Sequence, residues 1–197
     1  MRNRNRWKDH YTDRAREEKW LARSVYKLEE IDRKYGLISR GCRLLDLGCY
    51  PGSWSQYCIK RVGKRGEVVG LDIKEPDRFS AINFIFIEAD ILTLKTEWLA
   101  REVGKMDAVI SDLAPHTTGI RVTDTIRCLA LAEKALEIAL AVLKNKGHFL
   151  CKVFEGEGLK AFRDTVSGYF DQTRFLRPSA VRKRSREAYM LGINLLK

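Results

Sequence analysis

The sequence predicts an α/β chain with a mostly parallel, seven-stranded sheet and helices on both faces. Three observations carry this expectation. Short apolar runs alternate with helix-length amphipathic segments from residue 43 onward, the pattern of parallel strands joined by crossover helices. The first of those runs ends in a glycine turn, Gly48 to Gly52. Glycine or ionisable residues then recur just past successive apolar runs, at Gly48, Asp72, Asp90, Asp112 and Lys152, where sheets of this kind hold their ligands.

Taken in order, Trp20, Leu21, Ser24, Leu28 and Ile31 recur near helical spacing, which predicts one helix over 12–35 with Gly36 as its C-cap. Strands are expected at 43–47, 68–71, 82–87, 108–110, 147–153, 173–176 and 188–195. Helices are expected between them at 53–61, 96–103, 123–143 and 159–169. The organisation expected is a basic N-terminal arm and helix over 1–40, followed by a single α/β domain over 41–197.

Charge is concentrated on two flanks. The chain carries +11, of which residues 1–40 hold +5 and residues 177–186 another +5, around a nearly neutral body. Clustered positive charge is the footprint of a polyanion. Arg182, Lys183, Arg184 and Arg186, with Arg4 and Arg6 in the arm, are the expected RNA-contacting side chains. Five cysteines without a C-x-x-C pair fit a reduced, cytoplasmic protein better than a disulfide framework. Neither a metal-site spacing nor an apolar run of membrane-spanning length is present. A monomer is expected.

The segment Asp46-Leu-Gly-Cys-Tyr-Pro-Gly-Ser-Trp54 lies between a strand and a helix, and Asp72 follows Gly52 by twenty residues. An acid at that distance suits ribose hydroxyls. That pattern alone fits either NAD or S-adenosylmethionine. The absent G-x-G-x-x-G, and Pro51 and Trp54 at the helix start, argue against a pyrophosphate. S-adenosylmethionine needs an acid for ribose and a polar contact for adenine, and Asp90 is placed for the second.

Several segments carry a resemblance. Residues 45–57 (Leu-Asp-Leu-Gly-Cys-Tyr-Pro-Gly-Ser-Trp-Ser-Gln-Tyr), 111–115 (Ser-Asp-Leu-Ala-Pro), 152–158 (Lys-Val-Phe-Glu-Gly-Glu-Gly), 184–189 (Arg-Ser-Arg-Glu-Ala-Tyr) and 22–28 (Ala-Arg-Ser-Val-Tyr-Lys-Leu) resemble the motifs of the FtsJ/RrmJ (RlmE) ribose 2′-O-methyltransferases. The resemblance implies a Rossmann-like S-adenosylmethionine-dependent methyltransferase fold. It also implies a catalytic tetrad of Lys27, Asp112, Lys152 and Glu187, and cofactor contacts from Gly52, Trp54, Asp72, Asp90 and Asp112. The implied substrate is a uridine ribose in the A-loop of 23S ribosomal RNA in the large subunit. A tRNA anticodon loop, an mRNA cap, or non-catalytic RNA binding during ribosome assembly stand as alternatives. Cys49, Tyr50, Ser53 and His116 depart from the usual family residues, while all four tetrad positions are kept. Lys152 would act either as a neutral amine taking the hydroxyl proton or as an ammonium orienting it.

Overall fold

The computed structural model describes residues 10–76 and 81–196. The elements in chain order are α1 (His10–Glu17), α2 (Val25–Tyr35), β1 (Arg43–Leu47), α3 (Ser53–Val62), β2 (Glu67–Asp72), β3 (Phe84–Glu88), α4 (Thr96–Val103), β4 (Met106–Ser111), α5 (Arg121–Val142), β5 (Leu143–Phe154), α6 (Leu159–Ser167), β6 (Phe170–Leu176) and β7 (Glu187–Leu195). Seven strands form one sheet in the order β3-β2-β1-β4-β5-β7-β6. The chain winds outward one way through β2 and β3 and the other way from β4, so the topological switch lies between β1 and β4.

The sheet is mostly parallel as expected, in four of its six pairings, and mixed because β7 runs antiparallel to both β5 and β6. Residues 177–186 form no crossover helix, and without one a strand can return only in the opposite direction. The single helix expected over 12–35 is two helices. Lys19 takes a left-handed conformation (φ 61°), ending the first. Trp20 then folds onto α3, its ring centroid 6.3 Å from that of Tyr57 and under the Lys60 ammonium at 3.8 Å. Apolar spacing alone did not distinguish a continuous helix from two segments facing the same core.

Alternation along the central strands divides the core. Leu45, Leu47, Val109, Phe149 and Cys151 pack with α4, α5 and α6 on one face. Leu44, Val68, Ile110, Leu150, Tyr189 and Leu191 pack with α2 and α3 on the other. Lys152 follows Leu150 by two residues, so it shares the second face. That parity turns its side chain toward α2, which carries Lys27. Among the described residues no helix is long and apolar enough to cross a membrane.

Candidate active site

The transfer end of the site is built by strand register. Lys152 on β5 lies directly opposite Tyr189 on β7, and Phe154 opposite Glu187. Ser111 on β4 pairs with Cys151, so Asp112 emerges one step further, beside Lys152. Lys27 enters from α2. The result is two ion pairs: Lys152 Nζ to Asp112 Oδ1 at 2.6 Å, and Lys27 Nζ to Glu187 Oε1 at 2.5 Å. Lys152 also donates to the Asp112 carbonyl at 2.8 Å. The tetrad expected from the resemblance is therefore brought together.

Tyr189 joins the two pairs. Its hydroxyl lies 2.6 Å from Asp112 Oδ1 and 3.0 Å from Glu187 Oε1, one proton shared between two carboxylates. Sequence reasoning quoted Tyr189 within a motif but gave it no role. The available signal was its position two residues from Glu187 on the same face of an expected strand.

Burial and pairing oppose each other here. Burial pushes the Asp112 carboxyl up, yet the ammoniums of Lys152 and Lys27 and the hydrogen bonds from Lys152 and Tyr189 outweigh it and hold the group below the usual carboxylate range. Burial likewise pulls the Lys152 amine down, and the Asp112 and Glu187 carboxylates overcome it and raise the amine above its ordinary value. The Tyr189 phenol is driven well up, first by burial and then by the same two carboxylates. The resting site thus holds Lys152 as ammonium and Asp112 as carboxylate. An ammonium has three donors. Two from Lys152 are committed to Asp112, leaving the third for an incoming oxygen.

The candidate cofactor end lies across the switch point. Gly48 (φ 79°) turns the chain out of β1, and its backbone N–H donates to the Leu71 carbonyl at 2.8 Å. A Cβ at Gly48 would come within 2.6 Å of Leu113 in the loop after β4, so the glycine lets the cofactor turn and the Asp112 loop pack together. Asp72 accepts the backbone N–H groups of Tyr50 (2.9 Å) and Lys74 (3.2 Å). Tyr50, the largest departure from the family pattern, stays half-exposed, and its hydroxyl accepts from Lys74 Nζ at 2.7 Å. Asp90 is exposed on the rim of an open depression of about 400 Å³, lined also by Ala89, Thr93, Leu94, Lys95 and Trp98.

Two expected contacts take particular forms. The Trp54 side chain is buried. Its indole N–H donates to the Ser24 carbonyl at 2.9 Å and its ring centroid sits 5.8 Å from that of Tyr189. This side chain is occupied in bracing α2 against the tetrad. What the Gly52–Trp54 segment presents to a ligand is the start of α3, which has no side-chain cap.

The donor set fits S-adenosylmethionine. Asp46 is fully buried beneath the glycine turn, and Ser55 donates to its Oδ2 at 2.6 Å. Its Oδ1 has no partner among the described residues. Burial pushes this carboxyl up to about 7. An orphaned acid below the turn, Asp72 with remaining acceptor capacity, and Asp90 beside an open apolar depression suit a cationic nucleoside, and the carboxylates of Asp72 and Asp90 would repel a pyrophosphate.

The basic loop 177–186 packs its middle, Ala180 and Val181, into the α2 face, which leaves Arg182, Lys183 and Arg184 exposed. Arg186 differs. It donates to Thr125 Oγ1 at 2.7 Å, to the Arg121 carbonyl at 3.2 Å and to the Glu155 carbonyl at 3.4 Å, tying β7 to the start of α5. Arg4 and Arg6 lie outside the described residues.

Residues 20–195 match the model of the family described as FtsJ-like methyltransferase. A relative from Desulfatibacillum aliphaticivorans, named ribosomal RNA large subunit methyltransferase E, is 45% identical over 192 residues, covering 97% of this chain and 92% of that protein. One of the same name from Bdellovibrio bacteriovorus is 42% identical over 190 residues, covering 95% and 96%. The solved structure of a Plasmodium falciparum protein described as a ribosomal RNA methyltransferase superposes with a TM-score of 0.79 at 25% identity, covering 90% of this chain and 99% of that one. A family match across nearly the whole chain, joined to relatives this similar, means that the chain belongs to the FtsJ-like methyltransferase family.

Proposed function

We propose that this protein is an S-adenosylmethionine-dependent ribosomal RNA 2′-O-methyltransferase, acting on a uridine ribose in the A-loop of 23S ribosomal RNA within the large subunit. One observation carries the reaction type: two buried ion pairs, Lys152–Asp112 and Lys27–Glu187, joined through Tyr189 at the strand ends beside the glycine turn. The names of the relatives support a large-subunit ribosomal RNA as substrate. The uridine, the A-loop and the 2′-oxygen follow from the motif resemblance.

Gly52 and the start of α3, Asp72, Asp90 and Asp112 would hold the cofactor. When bound, S-adenosylmethionine supplies a methyl group already activated on a sulfonium sulfur. The chain's residues have to place and activate a hydroxyl that is barely ionised at neutral pH. Lys152 donates its third hydrogen to the 2′-oxygen, orienting it and stabilising negative charge as that charge develops. The hydroxyl hydrogen points to Asp112 Oδ2, the oxygen that neither Lys152 nor Tyr189 occupies. With a methyl donor in place, Asp112 Oδ2 would take that proton as the 2′-oxygen accepts the methyl group, and would pass it to solvent. Lys27 and Glu187 fix the far side of the network and Tyr189 keeps the two carboxylates in register.

The test is transfer of label from methyl-labelled S-adenosylmethionine to large ribosomal subunits lacking A-loop methylation. Label in an A-loop nucleotide whose 3′ linkage resists alkali is expected, since a 2′-O-methyl group blocks alkaline cleavage. Label on a base, or label only on tRNA, would refute the proposed target.

A further inference from the structure

Two unlike segments flank the tetrad. One is the basic loop 177–186 on the α2 side. The other is the segment 113–127, which leads from Asp112 into α5. It is joined to the site by Arg186, the neighbour of Glu187, which bonds both Thr125 and the Arg121 carbonyl. This second segment exposes Ile120, Val122 and Ile126 to 62%, 63% and 60%. Val122 and Ile126 stand one turn apart on the same helix face.

These apolar side chains are held outward by a built turn. Thr118 donates to Asp124 Oδ1 through both its backbone N–H (2.7 Å) and its hydroxyl (2.8 Å). The Ile120 N–H donates to the Thr118 hydroxyl at 3.2 Å, and the Asp124 N–H to the Ile120 carbonyl at 3.0 Å. Asp124 is the one acid between residues 113 and 132, and it is buried in this turn. The outward surface therefore presents aliphatic groups flanked by the exposed Arg121 and Arg127, neither of which forms an ion pair among the described residues. The nearest outward acids, Glu155 and Glu157, lie in the loop after β5 that packs on Thr125, and Glu155 is paired with Arg177. The segment itself is apolar and positive, which complements an unstacked nucleotide: an apolar base face attached to a phosphate.

The reaction requires such a nucleotide. Lys152 is only 7% exposed, so the acceptor ribose has to leave its helical stack to reach it. Its departure strips a stacking partner from the adjacent base. We propose that Ile120, Val122 and Ile126, with Arg121 and Arg127, form a platform that receives an unpaired base next to the methylated nucleotide, the two arginines contacting its phosphates. This inference rests on the reading of the chain as an RNA ribose methyltransferase and adds how the RNA is opened and held.

The test uses the full-length protein and fluorescence anisotropy. The probes are a fluorescein-labelled RNA hairpin with an unpaired loop and a fully paired duplex of the same stem. The variant Ile120→Ser/Val122→Ser/Ile126→Ser changes only exposed positions, and circular dichroism checks its fold. Wild-type protein is expected to bind the hairpin more tightly than the duplex. The variant is expected to lose about tenfold on the hairpin, through the apolar contact area its three side chains give up, and to keep its duplex affinity. The salt slope on the hairpin stays the same in this variant, since no charge is removed, and falls in Arg121→Gln/Arg127→Gln. Hairpin affinity within twofold of wild type, or equal weakening on hairpin and duplex, would overturn the platform. Weakening on assembled large subunits with none on the hairpin would assign the surface to a protein partner and also overturn it. Methyl transfer is assayed separately, so a wild-type protein that binds the hairpin as described but transfers no methyl would sink the reaction and leave the platform standing.

Discussion

Two halves of the same sheet edge are built on opposite plans. At the ends of β4, β5 and β7 the charges answer one another: Lys152 meets Asp112, Lys27 meets Glu187, and Tyr189 bridges both carboxylates. At the ends of β2 and β3 the carboxylates are met mainly by backbone N–H groups. Asp72 has those of Tyr50 and Lys74, and Asp90 has that of Leu92 at 2.9 Å. Both retain accepting capacity toward solvent. The difference follows from the two tasks. A transfer centre has to keep its geometry before substrate arrives, so its polar groups are buried and mutually satisfied. A binding site has to leave hydrogen bonds for the ligand to make. Removing one member of a buried pair strands the other, at a cost of about 3–5 kcal/mol. Removing Asp72 or Asp90 forfeits the ligand's bonds together with the loop N–H bonds each carboxylate accepts, at positions where water can replace them.

The comparison is broken or sharpened by four changes and one titration. The largest effect belongs to Asp112→Asn, which leaves Lys152 uncompensated and removes the proton acceptor. Single-turnover transfer is expected to fall about a thousandfold. A variant within tenfold of wild type would show that the paired half is merely structural. Next comes Asp72→Ala, expected to raise the dissociation constant for S-adenosylmethionine about 10- to 100-fold, the value of one or two charge-assisted hydrogen bonds. The rate at saturating cofactor should stay close to that of wild type. A drop in that rate equal to the loss in binding would erase the division of labour.

The pH profile of single-turnover transfer ranks third. Lys152 has a raised pKa, so its ammonium is present through neutral pH and is lost only as pH climbs through that raised value. Asp112 has a lowered one, so its carboxylate is lost only as pH falls below the usual carboxylate range. At saturating S-adenosylmethionine, where the Asp46 carboxyl, pushed up to about 7, no longer acts through cofactor binding, transfer should therefore be flat from about pH 6 to about pH 9.5. A rate rising tenfold per pH unit across that window would make Lys152 a neutral base. Tyr189→Phe removes one shared hydrogen bond and keeps the ring packed on Trp54, so a loss of about tenfold or less in rate is expected, with cofactor affinity unchanged. Smallest is Arg182→Gln/Lys183→Gln, which should weaken RNA binding severalfold at physiological salt. The slope of log affinity against log salt should drop by about two, one for each phosphate that is no longer neutralised.

Much of the fold was legible because strand parity and glycine turns are local. The run 43–47, the turn at Gly48 and the acids after successive strands could be placed from spacing alone. The reversal of β7 lies in a connection, 177–186, whose charge drew attention to RNA and away from the missing crossover helix. The break at Lys19 was hidden because Trp20 serves the same core from a turn as it would from a helix. In the site, Lys152 and Asp112 follow from strand ends, but Lys27 on a charged helix face is meaningless without the resemblance. Tyr189 depends on the β5–β7 register, a long-range property no local pattern contains. Arg186 read as one more cation of a basic loop, and its bonds to α5 were invisible until the helix was placed.

The most direct test of the central claim is Lys152→Ala, assayed for methyl transfer from labelled S-adenosylmethionine to unmethylated large-subunit ribosomal RNA. Cofactor and RNA binding are measured on the same preparation. The account predicts that both dissociation constants stay within about threefold of wild type while transfer falls about a thousandfold. Transfer within tenfold of wild type, with binding intact, would contradict it and move the chemistry away from the paired strand ends.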